Sequence, residues 1–244
     1  MPGWGVPHLE VFCRREIKYL VSPAQRDILE AAFAQRMLPD KFPHSSIRNI
    51  YYDTPDFRLI RRSLEHPVYK EKIRLRCYDP KADTVFVEMK KKYHGIVYKR
   101  RIVLPQQQAI DFMAGTGTLP DTQIGRELIY FRDFYQTLQP QVYLSYERDS
   151  WLGNGDPGLR ITMDHQIGCR TNDLCLSADM PVEAILPPDV YLMEVKAEHA
   201  IPLWLVQLLA REKIQKVSFS KYGRAYQHQL QNSIHVKRGN EYVG

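Results

Sequence analysis

Charged side chains recur at every second position in several β-prone segments of this 244-residue chain. In the first segment, Arg14, Glu16 and Lys18 follow this spacing. The other segments carry Lys72, Arg74 and Arg76; Glu88, Lys90 and Lys92; Lys99 and Arg101; and Glu194 and Lys196. Side chains two residues apart point to the same side of a strand, so each segment predicts a strand with one charged face and one mainly apolar face.

Two arrangements of the sheet satisfy this pattern. In the first, the charged faces look outward to water from a sandwich or a half-covered sheet, which is the usual place of such a face. In the second, the sheet closes into a barrel and the charged faces line a tunnel. The charged positions are mostly Arg and Lys rather than the mixed polar residues of a solvated face, and Glu stands two residues before Lys in three segments. This repetition favours the inward arrangement.

Runs rich in Val, Ile, Tyr and Phe between short turn-forming breaks predict eight strands, and helical periodicity predicts four helices. The predicted strands are Val11–Val21, Ile47–Tyr52, Val68–Tyr78, Thr84–Lys92, Ile96–Leu104, Gln141–Ser150, Leu159–Asp164 and Val190–Glu198. The predicted helices are Pro23–Arg36 with Ser22 as its N-cap, Gly125–Leu138, Pro202–Lys213 and Ser220–Gln229. The fold class is therefore mainly β (α+β), with antiparallel strands and a few flanking helices. Asp53 and Asp56 are interpreted as turn and capping residues.

The extent of the fold and the location of the protein follow from composition. We expect a single domain over residues 9–229 and a polar tail at residues 230–244. No apolar run approaches the roughly 20 residues of a membrane-spanning helix, and residues 1–7 lack the features of a signal peptide, so we expect a cytoplasmic protein. The four cysteines show no metal-site spacing and no disulfide framework.

The formal net charge of +6 predicts an anionic partner, which could be nucleic acid, an acidic membrane surface or phosphate. A nucleic-acid surface would expose Arg and Lys beside stacking aromatic residues, and no recognisable motif of that kind occurs. Guanidinium groups offer a planar fork to phosphate oxygens and ammonium groups offer a mobile point charge, so a row of both suits a chain of phosphates. A polyanion would also relieve the repulsion within a tunnel of cations.

The carboxylates among these cations indicate a divalent ion, because Mg²⁺ or Mn²⁺ is commonly held by one or two carboxylates together with phosphate oxygens and waters. Glu194 and Glu16 are the first candidates for its ligands. For Glu88 and Glu147, a salt bridge to a neighbouring lysine is an equal alternative to metal binding. The histidines show no metal-ligand spacing, so they are interpreted as turn or surface residues.

Several short motifs occur together in a specific order and spacing. They are REIKY at 15–19, NIYYDT at 49–54, KIRLRCY at 72–78, VEMK at 87–90, YKRR at 98–101, YER at 146–148, LRITMD at 159–164, MEVK at 193–196 and FSKY at 219–222. With these motifs the chain resembles the polyphosphate polymerase (VTC) domain of the vacuolar transporter chaperone complex and its bacterial relatives, within the triphosphate tunnel metalloenzymes of the CYTH-like superfamily. The resemblance covers most of the chain and implies a closed, eight-stranded antiparallel β-barrel tunnel.

The resemblance also implies roles for the residues of these motifs. In the family, the basic residues bind the nucleoside triphosphate and the growing phosphate chain, and the glutamate of the late Glu-x-Lys motif, here Glu194, looks like the metal ligand. The catalytic set carried over is Lys18, Arg74, Arg76, Lys90, Arg148, Arg160 and Lys196. The phosphate-binding set is Lys72, Lys99, Arg101 and Lys221, and Glu194 and Glu16 are the expected ligands of Mn²⁺ or Mg²⁺.

The expected activity is transfer of the γ-phosphate of ATP to phosphate or polyphosphate. Two alternatives use the same cations: a metal-dependent triphosphatase, and a non-catalytic sensor of polyphosphate or inositol pyrophosphate. The hydrolytic relatives open with Glu-x-Glu-x-Lys, and Arg14 at the first of these positions weakens the hydrolase alternative. Polymerase-like members often have a lysine where this chain has Ser218, so either the nearby Lys216 substitutes for it or chain extension is weaker. The sequence leaves open the direction of the reaction, the oligomeric state and a separate membrane partner.

Overall fold

The computed structural model of the chain describes residues 15–79, 83–94, 96–177 and 179–228. Its strands are β1 (Arg15–Val21), β2 (Met37–Asp53), β3 (Tyr69–Cys77), β4 (Thr84–Tyr93), β5 (Ile96–Pro105), β6 (Gln139–Gly153), β7 (Asp156–Arg170), β8 (Glu183–Ala184), β9 (Tyr191–Ala197) and β10 (Lys216–Val217). Its helices are α1 (Pro23–Arg36), α2 (Arg58–Leu64), α3 (Gln106–Met113), α4 (Gln123–Tyr135), α5 (Leu203–Arg211) and α6 (221–228). In this part of the chain, no helix has the length and apolar character needed to cross a membrane.

The strands form one antiparallel sheet in the order β10-β1-β9-β7-β6-β2-β3-β4-β5, with β8 beside β7. The sheet curls strongly, since Glu16 on β1 lies 3.6 Å from Lys90 on β4 although β9, β7, β6, β2 and β3 lie between these strands. The predicted closure into a barrel is not confirmed, because the described residues of β5 and β1 are not paired. Instead, β10 pairs with β1 at Lys18 and Tyr19, on the edge that closure would use.

The eight predicted strands are all present, and several are longer than predicted. Strand β2 begins at Met37 rather than at Ile47. The added part contains Pro39 and Pro43, which favour a break in a strand. The pairing of β2 with β6 shifts register between Pro39 and His44, and this irregularity accommodates the prolines. The expected strand residues 11–14, the expected tail at 230–244 and Arg14 lie outside the described residues.

Helix α1 has the predicted bounds, because its capping signals are local in the sequence. The Ser22 hydroxyl accepts from the Gln25 backbone N–H at 3.3 Å, and the Gln25 side chain accepts from the Ser22 N–H at 3.0 Å. This reciprocal capping box and Pro23 at the first helical position both favour a helix start. Helices α4, α5 and α6 are confirmed with slightly different bounds.

Helices α2 and α3 were not predicted, because neither begins with a side-chain cap of its own. Helix α2 follows Phe57, which has a left-handed backbone with φ of 60°. The missing cap comes from the end of β2. The buried Asp53 side chain accepts from the backbone N–H groups of Leu59 and Ile60 at 2.8 and 3.0 Å, and from the Tyr222 hydroxyl of α6 at 2.9 Å. Asp53 is therefore a capping residue that also fastens α6 to the sheet.

Helices α1, α3, α4 and α5 cover the apolar face of the sheet from outside. Leu29 and Phe33 of α1 and Leu205 of α5 pack against Ile161 of β7 and Val195 of β9. A second cluster joins α3 and α4 to β3 and β4, and it includes Leu75, Val87, Phe112, Leu128 and Phe131. Because these outer faces are buried under helices, the charged face of the same strands lies on the inner side of the curl.

Replacing Asp53 by Asn tests the fastening of α2 and α6. The change puts an amide NH₂ group in place of one oxygen, which then faces buried N–H or O–H donors, so we expect the free energy of unfolding to fall by about 2–3 kcal/mol. The measurement is the urea midpoint of unfolding. The matched control is Asp56→Asn, which alters an exposed carboxylate nearby and should change the midpoint little. Equal shifts for the two variants would contradict the assignment.

Candidate active site

The register of the strands assembles the charged face. Glu88 of β4 lies between Arg74 of β3 and Arg101 of β5. On the other side of the curl, Glu194 of β9 lies opposite Lys18 of β1. Residues directly opposite on paired strands share a face, so these alternating charges all line the inner side. The alternative in which the charged faces look outward to water is therefore wrong for this sheet.

The first group of charges, the Glu88 cluster, contains Glu88, Arg74, Arg76, Lys99 and Arg101. Oε2 of Glu88 accepts from Nη2 and Nε of Arg74 at 2.7 and 3.0 Å. Oε1 lies 2.8 Å from Nζ of Lys99 and 3.4 Å from Nε of Arg101. Glu88 is only 3% exposed, so burial raises its pKa, but Arg74, Arg76 and Lys99 outweigh burial and hold the pKa well below the usual range of a glutamate.

The second group, the Glu194 cluster, contains Glu194, Asp164, Arg148, Lys18, Lys196 and Lys221. Of its two carboxylates, Asp164 makes the shorter hydrogen bonds, and it is completely buried. Arg148 donates to both Asp164 oxygens at 2.6 and 2.7 Å, and Lys221 also contacts Asp164. Such a bidentate pair is strong and fixes the plane of the guanidinium group. Burial raises the pKa of Asp164, but Lys221 and Arg148 outweigh it, so this carboxyl stays ionised.

Glu194 is surrounded by four cations at longer distances. Lys196 Nζ lies 3.1 Å from Oε2, Lys18 Nζ and Lys221 Nζ each lie 3.4 Å from Oε1, and Arg148 Nη2 lies 3.8 Å from Oε2. These cations hold the pKa of Glu194 well below its usual value against the effect of burial. Burial lowers the pKa of Lys196 despite the nearby Glu194, because Arg148 also repels its charge. The contacts beyond 3.2 Å are longer than good hydrogen bonds, so these cations have donor capacity left for another anion.

Two contacts join the clusters into one lining. Glu16 lies 3.5 Å from Lys18 of the Glu194 cluster and 3.6 Å from Lys90, which lies beside the Glu88 cluster. The other contact passes through Tyr146. Arg76 of the Glu88 cluster donates to the Tyr146 hydroxyl at 3.1 Å, and the ring of Tyr146 contacts Lys221 of the Glu194 cluster. Lys18 and Lys90 lower the pKa of Glu16, although burial and the neighbouring Glu194 act to raise it. The cavity therefore presents a continuous row of cations interrupted by a few ionised carboxylates.

Two further predicted site residues have partners outside the clusters. Lys72 Nζ donates to Oγ of Ser220 at 2.8 Å, just before α6. Arg160 Nη2 contacts Asp40 of β2 at 2.8 Å, but its register position opposite Lys196 keeps it on the inner face. All predicted cations and both predicted metal ligands thus share this face: Lys18, Lys72, Arg74, Arg76, Lys90, Lys99, Arg101, Arg148, Arg160, Lys196, Lys221, Glu16 and Glu194.

Sequence reasoning missed several groups that complete the lining. Asp164 has the same alternating spacing as Arg160, a signal that could have identified it as an inner-face carboxylate. Tyr51 lies opposite Arg74 on the inner face. Nη1 of Arg74 donates to the Tyr51 hydroxyl at 2.7 Å. The Tyr146 ring centroid lies 4.6 Å from Lys221 Nζ, within the range of a cation–π contact. Tyrosines with this role look like core residues in the sequence.

Lys216 does not lie on the inner face. It pairs with Tyr19, whose side chain belongs to the outer apolar cluster, whereas Lys18 on the inner face pairs with Val217. Directly opposite residues share a face, so Lys216 points to the outer side of the sheet. This placement argues against the expectation that Lys216 substitutes for a lysine at position 218.

Glu194 and Glu16 offer a divalent ion two carboxylate ligands. Oε1 of Glu194 and Oε1 of Glu16 both lie within 3.5 Å of Lys18 Nζ, so the two carboxylates are close enough together to share one cation. Among the described residues, no group of three or more acidic, His or Cys side chains has the geometry of a metal cage. The donors therefore fit an ion such as Mg²⁺ that takes one or two carboxylates and completes its shell with phosphate oxygens and water.

The chain thus forms a curled antiparallel sheet with a cation-lined inner face and buried carboxylates. A model of the VTC domain family matches residues 13–229, and the chain belongs to this family. No curated protein shows significant sequence similarity to it. A candidate adenylate cyclase from Bacillus halodurans shares the fold with a TM-score of 0.53 and 16% identity, over 84% of this chain and 92% of that protein. A Pyrococcus horikoshii protein has a TM-score of 0.50 and 11% identity, over 89% and 98% of the two chains.

Removing the carboxylate of Glu88 tests its role as a counter-charge. In Glu88→Gln, Arg74 and Arg76 lose a buried anionic partner, so we expect the free energy of unfolding to fall by about 2–3 kcal/mol. Inorganic tripolyphosphate should restore more stability to this variant than to the wild type. The control is Glu127→Gln, which breaks a contact to Arg100 away from the cavity and should cost about 0.5 kcal/mol. Thermal unfolding measures both, and equal losses would refute the role.

Proposed function

We propose that the chain is a divalent-metal-dependent phosphotransferase that moves the γ-phosphoryl group of ATP onto a phosphate or polyphosphate acceptor. The observation that supports this most is the excess of cations on one concave face. Among the described residues, the carboxylates that contact these cations, Glu16, Asp40, Glu88, Asp164 and Glu194, are fewer than the cations. A polyanion supplies the missing negative charge, and membership of the VTC domain family supports a phosphate chain as that polyanion.

The shape of the lining favours several linked phosphates over a single phosphate. The Glu88 cluster and the Glu194 cluster sit on different strands of the curl, and Glu16 and Lys90 lie between them. One phosphate would contact only one cluster. A triphosphate or a longer chain can contact cations from both, and each charge-assisted contact adds to the binding free energy. This is the basis on which ATP and polyphosphate are proposed as ligands.

Phosphoryl transfer to a phosphate acceptor requires positioning and charge neutralisation rather than a protein nucleophile. Phosphoryl transfer passes through a loose transition state in which negative charge spreads over the equatorial oxygens. Arg148 is held rigidly by Asp164, and Arg74 by Glu88 and Tyr51, so their free N–H groups are oriented before the substrate arrives. Preorganised cations of this kind lower the barrier without reorganising during the reaction. A divalent ion held by Glu194 and Glu16 would withdraw further charge from the phosphoryl group.

The direct test is a product assay. Purified protein is incubated with ATP and Mn²⁺, with and without a short polyphosphate primer, and the products are resolved on a gel stained for polyphosphate beside an assay for free phosphate. We expect a metal-dependent ladder that Glu194→Gln abolishes, because this change removes the proposed ligand. Glu127→Gln, far from the lining, is the matched control and should keep full activity.

The other outcomes of this assay separate the alternative functions. Free phosphate without a ladder, in a metal-dependent reaction, would replace the proposal by a triphosphatase that uses water as acceptor. Tight binding of polyphosphate without either product would leave a non-catalytic sensor. A ladder that survives in Glu194→Gln would refute the proposed metal ligand while keeping the polymerase activity.

Anion binding should depend on pH through Lys72. Burial and the charges of Lys18, Lys70, Lys90 and Arg74 lower the pKa of Lys72 to about 7. Its ammonium form therefore predominates below this pH and is lost above it, so the affinity for metal-free tripolyphosphate should fall as the pH rises through neutrality. Lys72→Arg keeps a permanent charge and should show a flatter profile, which also corrects for ionisation of the ligand itself. Calorimetric titration measures both, and identical profiles would contradict this assignment.

A further inference from the structure

The hydroxyl of Ser220 faces a lysine inside the cation-lined cavity. Lys72 Nζ lies 2.8 Å from Ser220 Oγ, across 148 positions of sequence. The same Oγ accepts from the Gly223 N–H at 3.1 Å, so Ser220 is the N-cap of α6. A capping serine needs only its oxygen as an acceptor, and its O–H proton stays available to another partner. The contact with Lys72 is therefore an addition to capping that the helix itself does not require.

The surroundings of Lys72 make it an unusual lysine. Lys70 and Arg74 flank it on β3, Lys18 approaches from β1 and Lys90 from β4, and these cations add to burial in lowering its pKa to about 7. On its remaining side is α6, where its Nζ lies 5.9 Å from the Tyr222 ring centroid. The lowered pKa makes the neutral form of Lys72 accessible near neutral pH, and a neutral amine can accept a proton from the neighbouring hydroxyl.

The segment that carries Ser220 is held within the proposed binding site from both sides. Lys18 Nζ donates to the carbonyl oxygen of Phe219 at 2.9 Å, and the next residue, Lys221, contacts Asp164 and Glu194. A phosphate on Ser220 would therefore lie among Lys18, Lys72 and Lys221, and three cations stabilise a phosphoserine dianion well. The contacts with Lys72 and with the Gly223 N–H hold the Ser220 hydroxyl in one position, and a fixed nucleophile favours attack on a group bound beside it.

We propose that Ser220 is a phosphoryl acceptor, and that the chain phosphorylates itself there from a bound nucleoside triphosphate. This inference rests on the proposed function, since the donor must occupy the same cavity. In the step, a bond forms between Ser220 Oγ and the γ-phosphorus, and the bond from that phosphorus to the β–γ bridging oxygen breaks. The nucleoside diphosphate leaves with the electron pair, and the Ser220 proton passes to Nζ of Lys72. Lys72 is then an ammonium ion beside the new phosphate.

Arrival of the triphosphate assists this proton transfer. An anion close to Lys72 stabilises its ammonium form, so the lysine becomes a better proton acceptor when the donor is bound. In a loose transition state, the nucleophile loses its proton late, after the bond to the leaving group has largely broken. A base with a pKa near neutrality suits this role, because its neutral form is accessible before the reaction and its ammonium form holds the proton afterwards.

The test measures phosphate that remains on the protein. The full chain is incubated with ATP carrying a γ-phosphate label and Mn²⁺, then denatured, and we expect a label that is stable in acid and released by alkali, as phosphoserine is. Peptide mass spectrometry should locate it at Ser220. Ser218→Ala is the matched control, because Ser218 is an exposed serine two residues away, and it should keep the label. Ser220→Asn keeps an N-cap acceptor but should lose the label, whereas Ser220→Thr should retain it.

The pH profile distinguishes a proton acceptor from a merely structural lysine. At saturating triphosphate, labelling should rise with pH between about pH 6 and pH 9 and level off once Lys72 is neutral. Lys72→Arg cannot accept the proton, so it should lower the labelling rate by about 10²-fold and flatten the profile. Binding of tripolyphosphate to each variant, measured in parallel, shows that the cavity is intact.

The results separate failure of this inference from failure of the proposed function. Binding and turnover of ATP by the wild type without covalent label would overturn the acceptor role of Ser220 and leave the phosphotransferase proposal standing. A label that survives Ser220→Asn would also overturn it. If the wild type neither binds nor turns over ATP, both proposals are overturned together.

Discussion

Mutual repulsion of the cations on the inner face is the constraint on which the rest of the structure depends. Burying such a row is costly unless each charge has a partner, and here Glu88, Asp164 and Glu194 take that role with very little exposure to solvent. Their low pKa values show that the cations keep them ionised in turn. The helices outside complete the balance, since the apolar clusters against β3, β4, β7 and β9 hold the sheet curled against this repulsion.

The sequence predicts those parts of this arrangement that depend on residues close together in the chain. Alternation of charge identifies the inner face of each strand, and the box of Ser22 and Gln25 sets the start of α1. The pairing of β10 with β1 could not be foreseen in the same way, because β10 is a strand of two residues without any periodic pattern. Helix α2 was missed for a related reason: its cap, Asp53, belongs to the preceding strand rather than to the helix.

Contacts between distant parts of the chain decide the chemistry of the candidate site, and they are the hardest to predict. Alternation identifies Lys72 as a candidate residue and the family resemblance identifies Lys221, but neither gives a sign that α6 brings Ser220 against Lys72 or Lys221 against Asp164. Those contacts depend on the Asp53 carboxylate and on Tyr222, which is 1% exposed and stacks on Tyr51 with ring centroids 4.5 Å apart. The position of one helix thus controls which cations are paired and which remain available.

The gap between the edge strand β5 and strand β1 has a topological consequence for the phosphate chain proposed as ligand. Among the described residues, no backbone hydrogen bonds join β1 to β5, and the side chain of Glu16 on β1 contacts Lys90 on β4, the neighbour of β5. A long chain confined by a fully bonded wall must be threaded through from one end, at a cost that grows with its length. A gap without backbone pairing can widen without breaking the sheet, so the proposed phosphate chain would be able to enter sideways at its middle and leave by the same route.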